Sequence, residues 1–335
     1  MPEKVLVTGA NGFLGRHLLT ELLARGYAVR ALVRSAAQAD SPPLPPLGRL
    51  SLEIYEGDLT RPETLAGAAD GCQAIIHAAA LAQVNPARDP AVWAVNYGGT
   101  EAVLTLARRA AVRRLVYVGT ANVFGFGTRE QPGDETRPYA GQRYGLDYMD
   151  SKRAATDLVL QAAAQGLPAV LVHPTFMLGP GDAKPTSNAL LLALHRGQVP
   201  GYPAGGKNYV HVRDVAVATV NALTHGRVGE SYILGNDNLS YREAFNLIAN
   251  ILGVAPPRWP VPPLLARLFA LGASGVARIS GRPALVNPAM VAVANDGHYF
   301  SVRKAVAELG LPQTPVATAV AEAINWFREH NYLTD

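Results

Sequence analysis

Apolar and polar positions divide the first half of the chain into short apolar runs that alternate with longer stretches of helical period. Lys4 to Thr8 (KVLVT) is apolar and β-branched, the pattern of a strand buried on both faces. From Phe13 to Arg25, Leu14, Leu18, Leu19, Leu22 and Leu23 recur with a helical period, and Gly26 ends the helix. Further strands are predicted at Tyr27 to Val33, Ser51 to Tyr55, Ala74 to His77 and Arg114 to Gly119. Helices are predicted from near Pro62, over Asp89 to Ala111 and over Gly145 to Ala164. This alternation predicts an α/β fold with a parallel, doubly wound sheet, and no repeat of solenoid period interrupts it. The proline-rich stretch from Ala36 to Leu47 reads as a surface loop.

From Phe176 onward the alternation loosens. The turn Gly179 to Asp182 leads to a helix over Ser187 to Arg196. Tyr209 to His225 reads as a return to the sheet region, followed by a strand at Tyr232 to Leu234. Helices are expected over Tyr241 to Leu252, Ser301 to Gly310 and Thr318 to His330. Pro262 to Val276 is the most apolar segment; it is too short to span a bilayer and carries Arg267. It is expected to be a buried or substrate-covering helix, with a membrane-surface helix as the alternative.

Composition narrows the class. The 335 residues are 49% hydrophobic and 17% charged, with a net charge of +4, which describes a globular protein. No basic run with interleaved aromatics marks a nucleic-acid partner. The single cysteine, Cys72, excludes an intramolecular disulfide and fits a reducing compartment, and the start Met-Pro-Glu-Lys runs directly into a strand. A cytoplasmic location is the expectation. The histidines show no metal-ligand spacing, so no metal site is expected.

Candidate chemistry begins after the first strand. Gly9, Gly12 and Gly15 lie between strand and helix, an arrangement that sets a diphosphate on a helix N-terminus. The same glycines would also serve a tight turn without ligand, and their spacing is not G-x-G-x-x-G. At the end of the second strand stands Arg34, with no carboxylate until Asp40. An arginine there suits the 2′-phosphate of NADP, whereas NAD would call for an acid. Asp58 can cap the helix near Pro62 or contact the adenine edge. Tyr148 and Lys152 are four apart on one helix and so share a face. A neighbouring ammonium stabilises a phenolate; bringing a phenol from about 10 to near neutrality needs about 4 kcal/mol. Such a tyrosine can exchange a proton with a carbonyl or alcohol oxygen while hydride moves at carbon. Thr120, at the end of the fifth strand, can donate a hydrogen bond to the same oxygen.

Seven blocks then occur in one order: VLVTGANGFLG from Val5, GDL from Gly57, HAAA from His77, NYGGT from Asn96, VYVGT from Val116, YMDSK from Tyr148 and HPT from His173. Together with YVHVRD from Tyr209 they resemble the extended short-chain dehydrogenase/reductase family, the NAD-dependent epimerase/dehydratase superfamily. The run Val29 to Arg34 looks most like its dihydroflavonol-reductase and 3β-hydroxysteroid-dehydrogenase-like branch, with relatives labelled as hopanoid-associated sugar epimerases. The resemblance implies a Rossmann fold and makes Tyr148 the acid/base, Thr120 its hydroxyl partner and Lys152 its activator and ribose ligand. It implies cofactor contacts at Gly9, Asn11, Gly12, Phe13, Leu14, Arg34, Asp58, Leu59, Ala78, Ala79, Ala80, Asn96, Val118, Tyr148, Lys152, Pro174, Thr175 and Met177, and a homodimer. Gly119 replaces the serine usual before the catalytic hydroxyl, Phe124 a more common tyrosine, and Arg213 stands where a second acid is frequent.

Residues 1–175 and 209–235 are thus expected to form an NADP-binding Rossmann domain, and residues 176–208 and 236–335 a smaller interleaved α+β lid over a small-molecule substrate. Arg196, Lys207, Arg213, Arg258 and Arg282 are the lid cations that a sugar-nucleotide diphosphate would need. The leading expectation is an NADP-dependent carbonyl/secondary-alcohol oxidoreductase. The alternative is a nucleotide-sugar epimerase or dehydratase, and a third class is a non-catalytic NADP-binding protein.

Overall fold

The computed structural model describes residues 3–36, 47, 50–84, 87–280 and 286–333; Asp40, Arg282 and most of the proline-rich stretch lie outside the described residues. In chain order the elements begin β1 (Lys4–Thr8), α1 (Phe13–Ala24), β2 (Ala28–Val33), β3 (Glu53–Glu56) and β4 (Ala74–His77). Then come α2 (Pro90–Trp93), α3 (Gly99–Arg109), β5 (Arg114–Val118), α4 (Asp147–Ala164), β6 (Ala169–Pro174) and β7 (Phe176–Leu178). They continue with α5 (Ala189–His195), β8 (Gly206–His211), α6 (Val212–Asn221), β9 (Ser231–Leu234), β10 (Asp237–Ser240) and α7 (Tyr241–Leu252). The last are α8 (Pro263–Ser280), α9 (Pro288–Asn295), β11 (Gly297–His298), α10 (Arg303–Leu309) and α11 (Val316–Glu329).

Seven strands form one parallel sheet in the order β3-β2-β1-β4-β5-β6-β9, a Rossmann-type doubly wound sheet. Both faces are buried, which is why the strands read as continuous apolar runs. Val5 and Val7 pack on one face against Leu18 and Leu22 of α1, Val215 and Ala218 of α6, and Leu309 of α10. Leu6 and Ile75 pack on the other face against Val103 and Ala107 of α3 and Val159 of α4. The ligand edge is the end where all these strands stop.

A smaller sheet is centred on β8. It pairs antiparallel with β10 on one edge and parallel with β7 and β11 on the other. Helices α5, α7 and α11 bury Leu191, Phe245, Ile248, Val320 and Phe327 around Tyr209 of β8. A capping box starts α7, with Ser240 Oγ accepting from Glu243 N while the Glu243 carboxylate accepts from Ser240 N.

The structure adds detail to two expectations and corrects two. Tyr209 to His211 end a strand of the smaller sheet while Val210 packs into the main core, as do Ala305, Leu309 and Leu311, so the two expected units share packing at both places. Strand partners and core contacts, distant in sequence, decide membership. The helix expected over Asp89 to Ala111 runs without interruption from Pro90 to Arg109, with a π-helical turn at Ala94–Gly98 inside it. Asp58 does not cap the 3₁₀ turn Pro62–Leu65; its carboxylate accepts from Thr60 N at 2.9 Å and Thr60 Oγ1 at 2.7 Å, closing its own turn first. Finally, α8 is not a buried helix. Its large apolar residues Leu264, Leu265, Leu268, Phe269, Leu271 and Val276 are 51% to 68% exposed, and small residues, Ala270 foremost, make its inner face.

Candidate active site

The glycine turn lies where β1 ends. Gly9 takes φ +69°, and a Cβ there would stand 2.7 Å from the Cα of Ala79, so the turn is pressed against the end of β4. A Cβ on Gly15 would run into the Gly9 carbonyl, which sets α1 backbone-to-backbone on the turn. Gly12 is the N-cap of α1, with no side-chain cap and no acid in the first turn. The first amides of α1, including Phe13 and Leu14, therefore have no intrahelical acceptor. Asn11 and Gly12 are exposed, Phe13 is half-buried and Leu14 is buried. An uncapped helix start over a glycine cradle fits the diphosphate of a dinucleotide.

Arg34 follows β2 and is exposed. Beside it, Asp58 is held below the ordinary carboxylate range, first by the Thr60 hydrogen bonds and, less, by Arg61 and Arg34. Leu59 is buried against Gly99 at the start of α3. Ala78 and Ala79 are half-buried and Ala80 is exposed at the end of β4.

A buried polar chain underlies this edge. His77 Nδ1 is 2.7 Å from Thr8 Oγ1, and His77 Nε2 is 3.1 Å from Thr100 Oγ1. Thr100 donates to the Asn96 carbonyl, so its oxygen receives the Nε2 proton; Thr8 then donates to Nδ1 and accepts from Ala79 N. This set is satisfied only by a neutral imidazole, and burial lowers the His77 pKa to about 3. Asn96 accepts from Leu81 N at 2.8 Å and donates to Leu81 O at 3.2 Å and Ser151 Oγ at 3.1 Å. Its amide is committed to fixing the chain after β4, so Asn96 is a positioning residue here. Thr8, Thr100 and Ser151 stand in the blocks from Val5, Asn96 and Tyr148, but no role was read for them from the sequence; the four-residue spacing of Asn96 and Thr100 was the one available signal.

Thr120 is the N-cap of a short turn after β5, accepting from Asn122 N at 3.4 Å. Its hydroxyl faces Tyr148 on α4 and partly offsets the rise that burial causes in the phenol's pKa. Lys152, one turn further along α4, donates to the Val118 carbonyl at 2.7 Å, and its Nζ lies 4.5 Å from the ring centre of Tyr117. Burial lowers its pKa to about 7. The ammonium is therefore directed to Val118, and burial raises the phenol pKa; the lowering expected from the sequence calls for a bound nicotinamide cation as well as the lysine. Tyr144 lies before α4, set off from Tyr148 by Gly145 at φ +62°, and Tyr144 Oη donates to Asp296 at 2.5 Å.

Across the edge, Pro174 is buried, while Thr175 and Met177 are half-buried. Thr175 Oγ1 donates to Asn208 at 2.8 Å. His173 packs under Phe124, ring centres 4.8 Å apart, and burial lowers its pKa to about 3. A Cβ on Gly119 would strike the His173 ring, which accounts for glycine at that position. His211 caps α6, its Nδ1 accepting from Arg213 N, and Asp214 accepts from Thr314 N and Oγ1 at 2.8 Å. Among the lid cations, Arg213 pairs with Glu322, Lys207 lies 4.9 Å from the Phe176 ring centre, and Arg196 and Arg258 are exposed. Burial lowers Lys207 to about 8. No group of metal-binding side chains occurs among the described residues.

A family model described as the NAD dependent epimerase/dehydratase family matches residues 5–235. The chain belongs to this family. It is 33% identical to a "Putative dihydroflavonol 4-reductase" of Synechocystis, covering 99% of this chain and 97% of that protein. It is 30% identical to a "3 beta-hydroxysteroid dehydrogenase/Delta 5-->4-isomerase" of Mycobacterium tuberculosis, covering 97% of this chain and 90% of that protein. A nucleoside-diphosphate-sugar epimerase from Pseudomonas aeruginosa has a similar solved structure, with a TM-score of 0.80 and 27% identity over 99% of both chains. Membership makes the chain an NAD(P)-dependent oxidoreductase of the extended short-chain dehydrogenase/reductase type, acting on a small molecule. Among the described residues no helix is long and apolar enough to cross a membrane.

Proposed function

We propose that this family member is an NADP-dependent enzyme that interconverts a carbonyl and a secondary alcohol on a small molecule. The observation that carries the reading is the placement of Tyr148, Thr120 and Lys152 around the end of β5, with Arg34 at the end of β2 on the same edge. The dinucleotide, when bound, supplies or accepts hydride. Gly9, Asn11, Gly12, Phe13 and Leu14 would hold its diphosphate, Arg34 its 2′-phosphate, Asp58 and Leu59 its adenine, and Ala78, Ala79, Ala80, Val118, Lys152, Pro174, Thr175 and Met177 the remainder. In the reductive direction Tyr148 gives its phenolic proton to the carbonyl oxygen as a C–H bond forms at carbon. Thr120 donates a hydrogen bond to the same oxygen, and the Lys152 charge one turn away stabilises the phenolate left behind. In the oxidative direction the same proton returns to Tyr148. The protein is read as cytoplasmic and, by its family, as a homodimer.

A second reading, nucleotide-sugar epimerase, is favoured by the similarity to the Pseudomonas protein. Against it, Arg213 is engaged by Glu322 and Lys207 is half-buried beside Phe176, so these two do not form a diphosphate clamp. The test is a panel of apolar carbonyls and nucleotide sugars followed by NADPH absorbance and product analysis, with extraction of the retained cofactor. Exchangeable NADPH and a carbonyl substrate support the reductase, whereas tightly held NAD with sugar turnover supports the epimerase. Undiminished turnover by Tyr148→Phe would overturn both.

A further inference from the structure

Helix α8 is amphipathic with its large side chains outward. Leu264, Leu265, Leu268, Phe269, Leu271 and Val276 fall within one arc of the helix and are all exposed, while Ala266, Ala270, Ala273 and Ser274 occupy the opposite arc. The inner side packs on α9, and Ala289 and Val293 of α9 pack in turn with Tyr148 and Met149. The apolar face of α8 thus points away from the candidate active site, so covering the substrate does not explain it. Just upstream, Trp259 is 73% exposed although its backbone is anchored, Tyr202 N donating to its carbonyl at 3.0 Å and Val261 N to the Tyr202 carbonyl at 2.9 Å. An indole held out by ordered backbone thus stands exposed four residues before α8 begins.

Charge decides what covers it. From Ala244 to Asn295 the chain contains no aspartate or glutamate and four arginines, Arg258, Arg267, Arg278 and Arg282. The remainder of the chain is balanced, so this stretch accounts for the whole net charge of +4. Arg258 and Arg267 are exposed beside the apolar residues. A two-fold pairing of this face with itself would set arginines against arginines with no local acid between them. An anionic lipid surface supplies both complements, acyl chains for the leucines, Phe269 and Trp259, and headgroups for the arginines. We propose that α8 and the Trp259 segment dock the enzyme, lying in the interface plane, on an anionic lipid bilayer. This does not depend on which reaction the family member catalyses.

The test is flotation of the full-length protein with phosphatidylcholine vesicles, with and without phosphatidylglycerol. Flotation with the anionic vesicles, weakened by salt, is expected. Leu268→Glu with Phe269→Glu places charges at exposed positions and should lower vesicle binding by tenfold or more, with thermal melting unchanged. Arg258→Gln with Arg267→Gln should weaken binding to the anionic vesicles by about tenfold or more and leave the pure phosphatidylcholine baseline alone. No flotation, or flotation indifferent to both double variants, overturns the proposal. So does a concentration-dependent dimer that Leu268→Glu with Phe269→Glu abolishes while no vesicle binding is seen, because the face is then a contact between copies.

Discussion

Lys152 is a buried ammonium whose hydrogen bond is to a neutral carbonyl, and that makes it a stability liability. Its pKa falls from 10.5 to about 7 because burial removes it from water. At about 1.4 kcal/mol per unit, this corresponds to a cost of about 5 kcal/mol at neutral pH. Lys152→Met keeps much of the side-chain length, removes the charge and leaves the Val118 carbonyl without this donor, a loss of about 1–3 kcal/mol. The variant should therefore be more stable than the parent by about 2 kcal/mol near pH 7, while turnover drops by two orders of magnitude or more. The pH dependence distinguishes this cause from a general packing gain. Between about pH 7 and 10 the unfolded chain binds the lysine proton and the folded chain does not, so parental stability rises with pH in that window. The advantage of Lys152→Met should shrink over the same range. Urea melts of both proteins from pH 7 to 10 measure this directly. A variant less stable than the parent at pH 7, or an advantage independent of pH, would refute the reasoning.

Gly119→Ser, which restores the residue common in the family, should destabilise by about 1–3 kcal/mol because its Cβ meets the His173 ring; a thermal double-mutant cycle with His173→Ala should show relief of that clash, and strict additivity would contradict it. Arg34→Ala should raise KM for NADPH by one to two orders of magnitude and change NADH use little, as initial rates with each cofactor will show; equal effects on both would remove the assigned role. His77, His173 and His298 are buried and lowered to about 3, so the unfolded chain takes up protons below about pH 6.5 that the folded chain refuses. Stability should fall by about 4 kcal/mol per pH unit below pH 6, with acid unfolding well above pH 3. Circular dichroism showing a folded protein at pH 3 would contradict this.

What the sequence alone determined is local. The run Lys4 to Thr8, the glycines at three-residue spacing and the leucine stripe of α1 specify strand, turn and helix, because each depends on neighbours within a few residues. The four-residue offset of Tyr148 and Lys152 likewise places both on α4, and the ends of β1, β2, β4 and β5 were legible as one ligand edge. Where each side chain is directed was not legible. Lys152 reaches Val118 because β5 passes beneath α4, and Asp58 turns to Thr60 because that hydroxyl is nearer than any helix start. The apolar run of α8 has the composition of a core helix, yet among the described residues its buried side chain is Ala270, and its leucines face outward. Sequence period states that a helix has two faces; which face is inside is decided by partners far along the chain, and so belongs to the tertiary structure.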